Sequence, residues 1–222
     1  SMRRMRMWIP AIGLSVFGSF ALMATDLFDP LASYYLSIRW MPFASVLGGL
    51  MFGYGMALAG NCGFGSIARL GGGDMRAFVI VLVMGVSAYV VLSGPLAPLR
   101  VMIFPQEDVV NDMPPGIAHL LGSWTGASVN VIGIVIGTLI ILGALANKAF
   151  VTEGKAIFWS VIVGVAIVSG WAGSYWVATT GFSEIQVVSH SFSAPVGESL
   201  LYFMTASARA PSFAVGSVAG VI

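Results

Sequence analysis

The residues best equipped for chemistry stand together at Gly60-Asn61-Cys62-Gly63, a carboxamide and a thiol set between glycines. Cys62 is the only cysteine in 222 residues. A thiol is a weak hydrogen-bond donor and, once deprotonated, a nucleophile, whereas an asparagine amide offers two N–H donors. The same residue in an apolar run is more commonly a small buried hydrophobe. What lifts this tetrapeptide is its setting in GGLMFGYGMALAGNCGFG, residues 48–65, apolar enough for a bilayer yet crowded with glycine. Each interior helical glycine costs about 1 kcal/mol relative to alanine. In membranes glycine serves either close helix approach, as Gly49-xxx-Gly53 would allow, or a break where backbone lines a path. The expectation is a broken helix at Gly60–Gly63 with Asn61 and Cys62 exposed in the break.

Other chemistry is scarce. Glu198 lies in the apolar stretch Val196–Ala208, where an ionisable side chain is a functional candidate unless it reaches the interface. A lone cysteine excludes an internal disulfide, a CxxC redox pair and a cysteine-ligated zinc site. His119 and His190 are the only imidazoles and lie far apart in sequence, so neither a metal nor another cofactor is expected. Arg100 and His190 read as structural. Glycines 60, 63 and 65 are no nucleotide fingerprint, because no strand precedes them and no phosphate-binding lysine follows. No catalytic constellation emerges, and an enzyme is not expected.

The bulk composition sets the frame for these residues. The chain is 58% hydrophobic and 9% charged, against roughly 25% charged for a soluble domain. Its mean hydropathy is +0.93. So few charges cannot cover a soluble protein, and the fold class expected is all-α, a polytopic helical membrane protein. The net charge of +1 comes with no basic run, so nucleic acid is not a partner; membrane lipid is.

Arg3, Arg4 and Arg6 precede a spanning run from Trp8 to Phe28, with Asp26, Asp29 and Pro30 at its far end. Residues 31–40, with Tyr34, Tyr35, Arg39 and Trp40, have the anchors of an interfacial segment. Met41–Ala59 leads back in to the break. Ala77–Ser93 is the cleanest span, ended by Gly94-Pro95 and Pro98, and 106–115, with Glu107, Asp108 and Asp112, reads as an extramembrane loop. A short interfacial helix is expected within His119–Ser128, then spans at Val129–Ala146 and Ala156–Val177, about five spans in all. Arg69, Arg76, Lys148 and Lys155 fall on the side of the arginine-rich N-terminus, which the positive-inside rule makes cytoplasmic. Gly133-xxx-Gly137 and Gly216-xxx-Gly220 are read as helix-packing pairs. No paired carboxylates sit in a span, so no coupling ion is legible.

Three stretches together resemble the YeeE/YedE family of bacterial inner-membrane sulfur transporters: GMALAGNCGFGSIARLGGGDMRA (55–77), SAYVVLSGPLAPLR (87–100) and VGESLLYFMTASARAPSFAVGSVAGV (196–221). The resemblance implies a multi-pass inner-membrane protein built as an inverted repeat, with short broken helices meeting near mid-membrane. On that pattern the first half would be about 8–128, with an incomplete second half about 129–222. It further implies uptake of thiosulfate, or of a related small sulfur or selenium compound, along a path lined by cysteines in glycine-rich segments. Cys62 takes the first-half position, flanked by Gly60 and Gly63. The second glycine–cysteine signature, expected beyond the helix that starts at Ser212, does not occur, so the chain is expected to be part of a longer protein. A cytosolic sulfur-handling partner and a homo-oligomer are compatible with this reading.

Thiosulfate is a dianion, costly to bring into low dielectric unless donors meet it. Conduction favours weak successive sites over one tight arginine. A neutral thiol can touch the terminal sulfur while backbone N–H groups at a broken helix end supply fixed positive dipole. The substrate-binding set expected is Cys62, Asn61, Gly60, Gly63 and Glu198. Two other classes compete: a membrane-embedded thiol enzyme handling persulfide sulfur, and a non-transporting scaffold subunit. The enzyme needs Cys62 as a thiolate at neutral pH, which alkylation rate against pH would reveal; the scaffold needs Cys62 to be dispensable.

Overall fold

The computed structural model describes residues 2–33, 41–105, 116–146, 148–181, 185–208 and 210–222. The interfacial anchors Tyr34, Tyr35, Arg39 and Trp40, and the acidic loop 106–115, lie outside them. Among the described residues the fold is helical, and β structure is limited to one isolated parallel bridge between Ser33 and Val187. The helices are α1 (Met2–Ala24), α2 (Pro42–Ala59), α3 (Gly63–Gly71), α4 (Met75–Leu92), α5 (Ala97–Ile103), α6 (Ile117–Thr125), α7 (Val129–Leu145), α8 (Lys148–Val151), α9 (Gly154–Thr180), α10 (Ser193–Thr205) and α11 (Phe213–Val221).

Four described segments are long and apolar enough to cross a membrane: Met7–Ala24, Pro42–Gly71, Met75–Leu92 and Gly154–Thr180. A fifth arises if α6 and α7, bent by 119° where Gly126 turns left-handed at φ 71°, count as one broken span. At 1.5 Å per residue, the unbroken helices α1, α2, α4 and α9, of 18–27 residues, reach about 27–40 Å, matching a hydrocarbon core of about 30 Å. The chain is an all-α, multi-pass membrane protein with broken helices.

The chain divides into two compact units, each built from two separate stretches. One unit comprises residues 1–40 and 108–189. Its α1 lies against α7 and α9 through missing side chains. A Cβ on Gly137 of α7 would come 2.6 Å from the Phe17 nitrogen, and one on Gly133 would overlap the Phe20 ring. Gly164 of α9 receives Leu14 at 2.9 Å in the same way, and Gly13 of α1 receives Ile141 at 2.8 Å. Close approach of this kind replaces the hydrophobic effect, which does not operate between helices in lipid. The Ser160 hydroxyl adds a bond across α9 and α1 to the Met7 carbonyl at 2.9 Å. Past α1, Asp26 turns left-handed at φ 55°, Asp29 caps a short 3-10 turn at Pro30–Ala32, and Phe28 is buried against Trp171 and Tyr175 of α9.

The other unit comprises residues 41–107 and 190–222 and carries the glycine–cysteine segment. Ile67 of α3, Val81 of α4, Val196 of α10 and Val218 of α11 form its core, with Leu70, Met84, Phe192 and Val221 around them. α4 and α10 meet backbone to backbone: a Cβ on Gly197 would stand 2.6 Å from the Gly85 carbonyl oxygen, and one on Gly85 would stand 3.1 Å from the Gly197 nitrogen. The C-terminal end of α11 closes on the end of α3, where the backbone of Ile222 occupies the space a Cβ on Gly71 would need.

Two expectations are corrected here. Gly216 and Gly220 of α11, and Gly49 and Gly53 of α2, have nothing within 4 Å of an added Cβ, so neither pair packs a described helix. Pro98, read as a helix terminator, stands in the first turn of α5 instead, where its missing N–H costs nothing.

Candidate functional site

The break opens at Gly60. α2 is mostly apolar and ends at this residue, which adopts φ 73°, ψ −3° and caps the helix in the left-handed conformation. Glycine enters that region without the clash a Cβ brings. The chain then extends at Cys62 (φ −75°, ψ 167°), and α3 begins at Gly63 with Cys62 as its N-cap.

Cys62 performs the cap with sulfur. Its Sγ accepts the N–H of Gly65 at 3.3 Å, and its carbonyl accepts the N–H of Ser66 at 2.9 Å. These bonds occupy the third and fourth amides of α3. The amides of Gly63 and Phe64, as the first two of a helix, have no intrahelical acceptor. The thiol is half-buried and free of any disulfide. The result is a sulfur and two donor amides at the positive end of a helix that interrupts an apolar 30-residue segment.

Asn61 is held in a chain of polar contacts. With its amide oriented to satisfy both ends, the nitrogen donates to the Gly60 carbonyl at 3.0 Å and the oxygen accepts from Arg69 Nη1 at 2.5 Å. Arg69 Nη2 in turn pairs with Asp74 Oδ2 at 2.8 Å. Asp74 is the N-cap of α4, accepting from the Arg76 amide at 3.0 Å. The bond from the Arg76 amide, helped by the charge of Arg69, holds the Asp74 carboxyl below the usual carboxylate range. Arg69, which sequence reading takes as a topology signal, therefore also braces the break against the α3–α4 turn.

Gly63 is shaped by its neighbours rather than by its dihedrals. A Cβ there would stand 2.8 Å from Met84 Sδ of α4 and 4.0 Å from the Ser193 hydroxyl at the start of α10. The Phe64 and Phe192 rings meet with centroids 5.0 Å apart. The first turn of α10, whose N-cap Phe192 has no side-chain capping bond, thus adjoins the first turn of α3. His190 lies one step further, its Nδ1 3.1 Å from the Ser217 hydroxyl and its ring against Phe213.

Gly60, Asn61, Cys62 and Gly63 are thus one continuous cap-and-turn structure. Glu198 is half-buried on α10, five residues past Ser193, and makes no hydrogen bond or ion pair with the described residues; no described contact joins it to Cys62. Ser66, Met84, Phe192 and Ser193 escape sequence reading. Ser66 carried a signal in its position one turn after the cysteine; the others come close only through tertiary packing. The described residues contain no group of three or more His, Cys, Asp or Glu able to hold a metal.

A family model described as Sulphur transport matches residues 1–222. The chain belongs to this sulphur-transport family. It is also similar to the thiosulfate transporter TsuA of Spirochaeta thermophila (strain ATCC 700085 / DSM 6578 / Z-1203), with 32% identity over 141 residues. That match takes in 57% of this chain and 40% of the relative, so the chain spans less than half the length of the curated protein it resembles.

Proposed function

We propose that this chain forms part of the path of an inner-membrane transporter taking up thiosulfate or a related small sulfur oxoanion, with Cys62 as a contact on the way. The observation that carries the proposal is the cap itself: a half-buried thiol at the positive end of a helix that breaks an apolar segment. Family membership and the thiosulfate-transporting relative supply the substrate class.

The chemistry follows from the donor set. A sulfur dianion entering low dielectric needs compensation for lost water. The Gly63 and Phe64 amides provide it as fixed dipoles that cost no reorganisation. The Cys62 sulfur accepts the Gly65 N–H, which leaves its S–H to point elsewhere, as a donor toward the terminal sulfur of thiosulfate. Such contacts are weak, and weakness suits release. The guanidinium of Arg69 is committed to Asn61 and Asp74, so it braces the turn without clamping the ion. The substrate passes by hydrogen bonding and no bond to sulfur is made or broken.

The test is mass spectrometry of intact protein after exposure to thiosulfate, together with alkylation of Cys62 by a maleimide. Reversible protection of the thiol with no added mass is expected. A trapped mixed disulfide or persulfide on Cys62 would overturn the non-covalent mechanism.

A further inference from the structure

The structure holds a buried hydroxyl beside the cap that no described residue satisfies. Ser66 is 1% exposed and its Oγ has no hydrogen-bond partner among the described residues. The other buried helical serines behave differently. Ser160, Ser174 and Ser199 each donate to a carbonyl three or four residues back, at 2.8, 3.2 and 2.7 Å. Ser66 has the same option, since the Cys62 carbonyl lies one turn back and takes its backbone N–H, yet its hydroxyl makes no such bond. A hydroxyl removed from water and left unmatched is costly, and such groups call for an explanation.

Its direction follows from helix geometry. Gly63, Ser66, Ile67 and Leu70 form the inward stripe of α3, spaced three and four apart. Helical side chains lean toward the N-terminus, so a residue covers the turn before its own Cα. Ser66 therefore leans toward the turn of Gly63, the position packed by Met84 Sδ, near the Ser193 hydroxyl and one step from Cys62. A buried unmatched donor and two helix-end amides without intrahelical acceptors converge on the same turn.

We infer that Ser66 is a substrate-binding residue whose hydroxyl donates to an oxygen of the sulfur oxoanion. The inference rests on the transport reading above and deepens it by dividing the site. Cys62 recognises the soft terminal sulfur, and Ser66, with the Gly63 and Phe64 amides, recognises the oxygens that thiosulfate shares with sulfate. Ser66 then sets affinity for any tetrahedral sulfur oxoanion, whereas Cys62 sets the preference for thiosulfate.

The experiment is equilibrium binding of radiolabelled thiosulfate to the intact purified protein, with unlabelled sulfate as competitor, in wild type, Ser66→Ala, Cys62→Ala and Ser199→Ala. Ser66→Ala removes an unmatched group, so it folds at least as well as wild type, while its thiosulfate and sulfate affinities both fall by about tenfold or more, as for a hydrogen bond to a charged group. Cys62→Ala loses thiosulfate affinity and keeps that for sulfate. Ser199→Ala, which deletes a matched hydroxyl, leaves both affinities unchanged. Ser66→Ala binding both anions within twofold of a binding-competent wild type overturns the inference and leaves the transport reading standing, with an enclosed water as the hydroxyl's partner. A wild type that binds no thiosulfate overturns both.

Discussion

Gly60 offers the sharpest separation of backbone conformation from packing. Its φ is 73° and nothing lies within 4 Å of an added Cβ. Alanine there meets no neighbour, so its cost is conformational alone, about 1–2 kcal/mol for an L-residue in the left-handed region. That range corresponds to roughly a 5- to 30-fold shift away from the broken geometry. Asparagine tolerates the same region better and is expected to lose less than alanine. The control is Gly53→Ala, equally open but within α2 and without a positive φ; it is expected to be neutral, or stabilised by up to about 1 kcal/mol. The assay pairs labelled-thiosulfate uptake at matched membrane levels with thermal unfolding of the solubilised protein, where each kcal/mol moves the midpoint by about 2–4 °C. The expected order is Gly53→Ala at or above wild type, then Gly60→Asn, then Gly60→Ala. Full activity and stability in Gly60→Ala would show that the left-handed cap does not create the break.

Two further outcomes follow from packing and charge. Gly197→Val should destabilise the protein by about 1–3 kcal/mol or more, because rigid backbone at Gly85 stands 2.6 Å from the first added carbon; Gly216→Ala, in open space within α11, should not lower the unfolding midpoint. Asp74 titrates below its ordinary 3.8 in the folded protein, so its cap and ion pair stabilise at neutral pH. That contribution is lost as pH falls through the ordinary value and then the folded one. Acid unfolding curves of wild type should therefore converge on those of Asp74→Ala below this range, and a constant offset at all pH values would refute the role of the carboxylate.

How much of this was legible in the sequence depends on the range of the interaction. The break was legible because its cause is local: Gly60 and Gly63 bracket Asn61 and Cys62, and a left-handed cap needs only glycine. Spans were legible from hydropathy, and the packing roles of Gly133 and Gly137 from their spacing. That spacing alone misleads, however, since Gly216-xxx-Gly220 has the same form and faces no described helix. What was illegible is whatever α10 brings. Ser193 and Phe192 reach Gly63 and Phe64 because Gly85 and Gly197 let two backbones touch, and no local pattern encodes that meeting. Arg69 was legible only as a charge suited to setting topology, whereas its bond to Asn61 depends on two turns of α3 that only the fold aligns.

The most direct test of the central claim is uptake of labelled thiosulfate by cells lacking their other thiosulfate systems, comparing wild type with Cys62→Ala in the intact protein at equal membrane abundance. The account predicts uptake in wild type that is largely lost with the thiol. Uptake indifferent to Cys62 would contradict it and return that residue to the packing of α3.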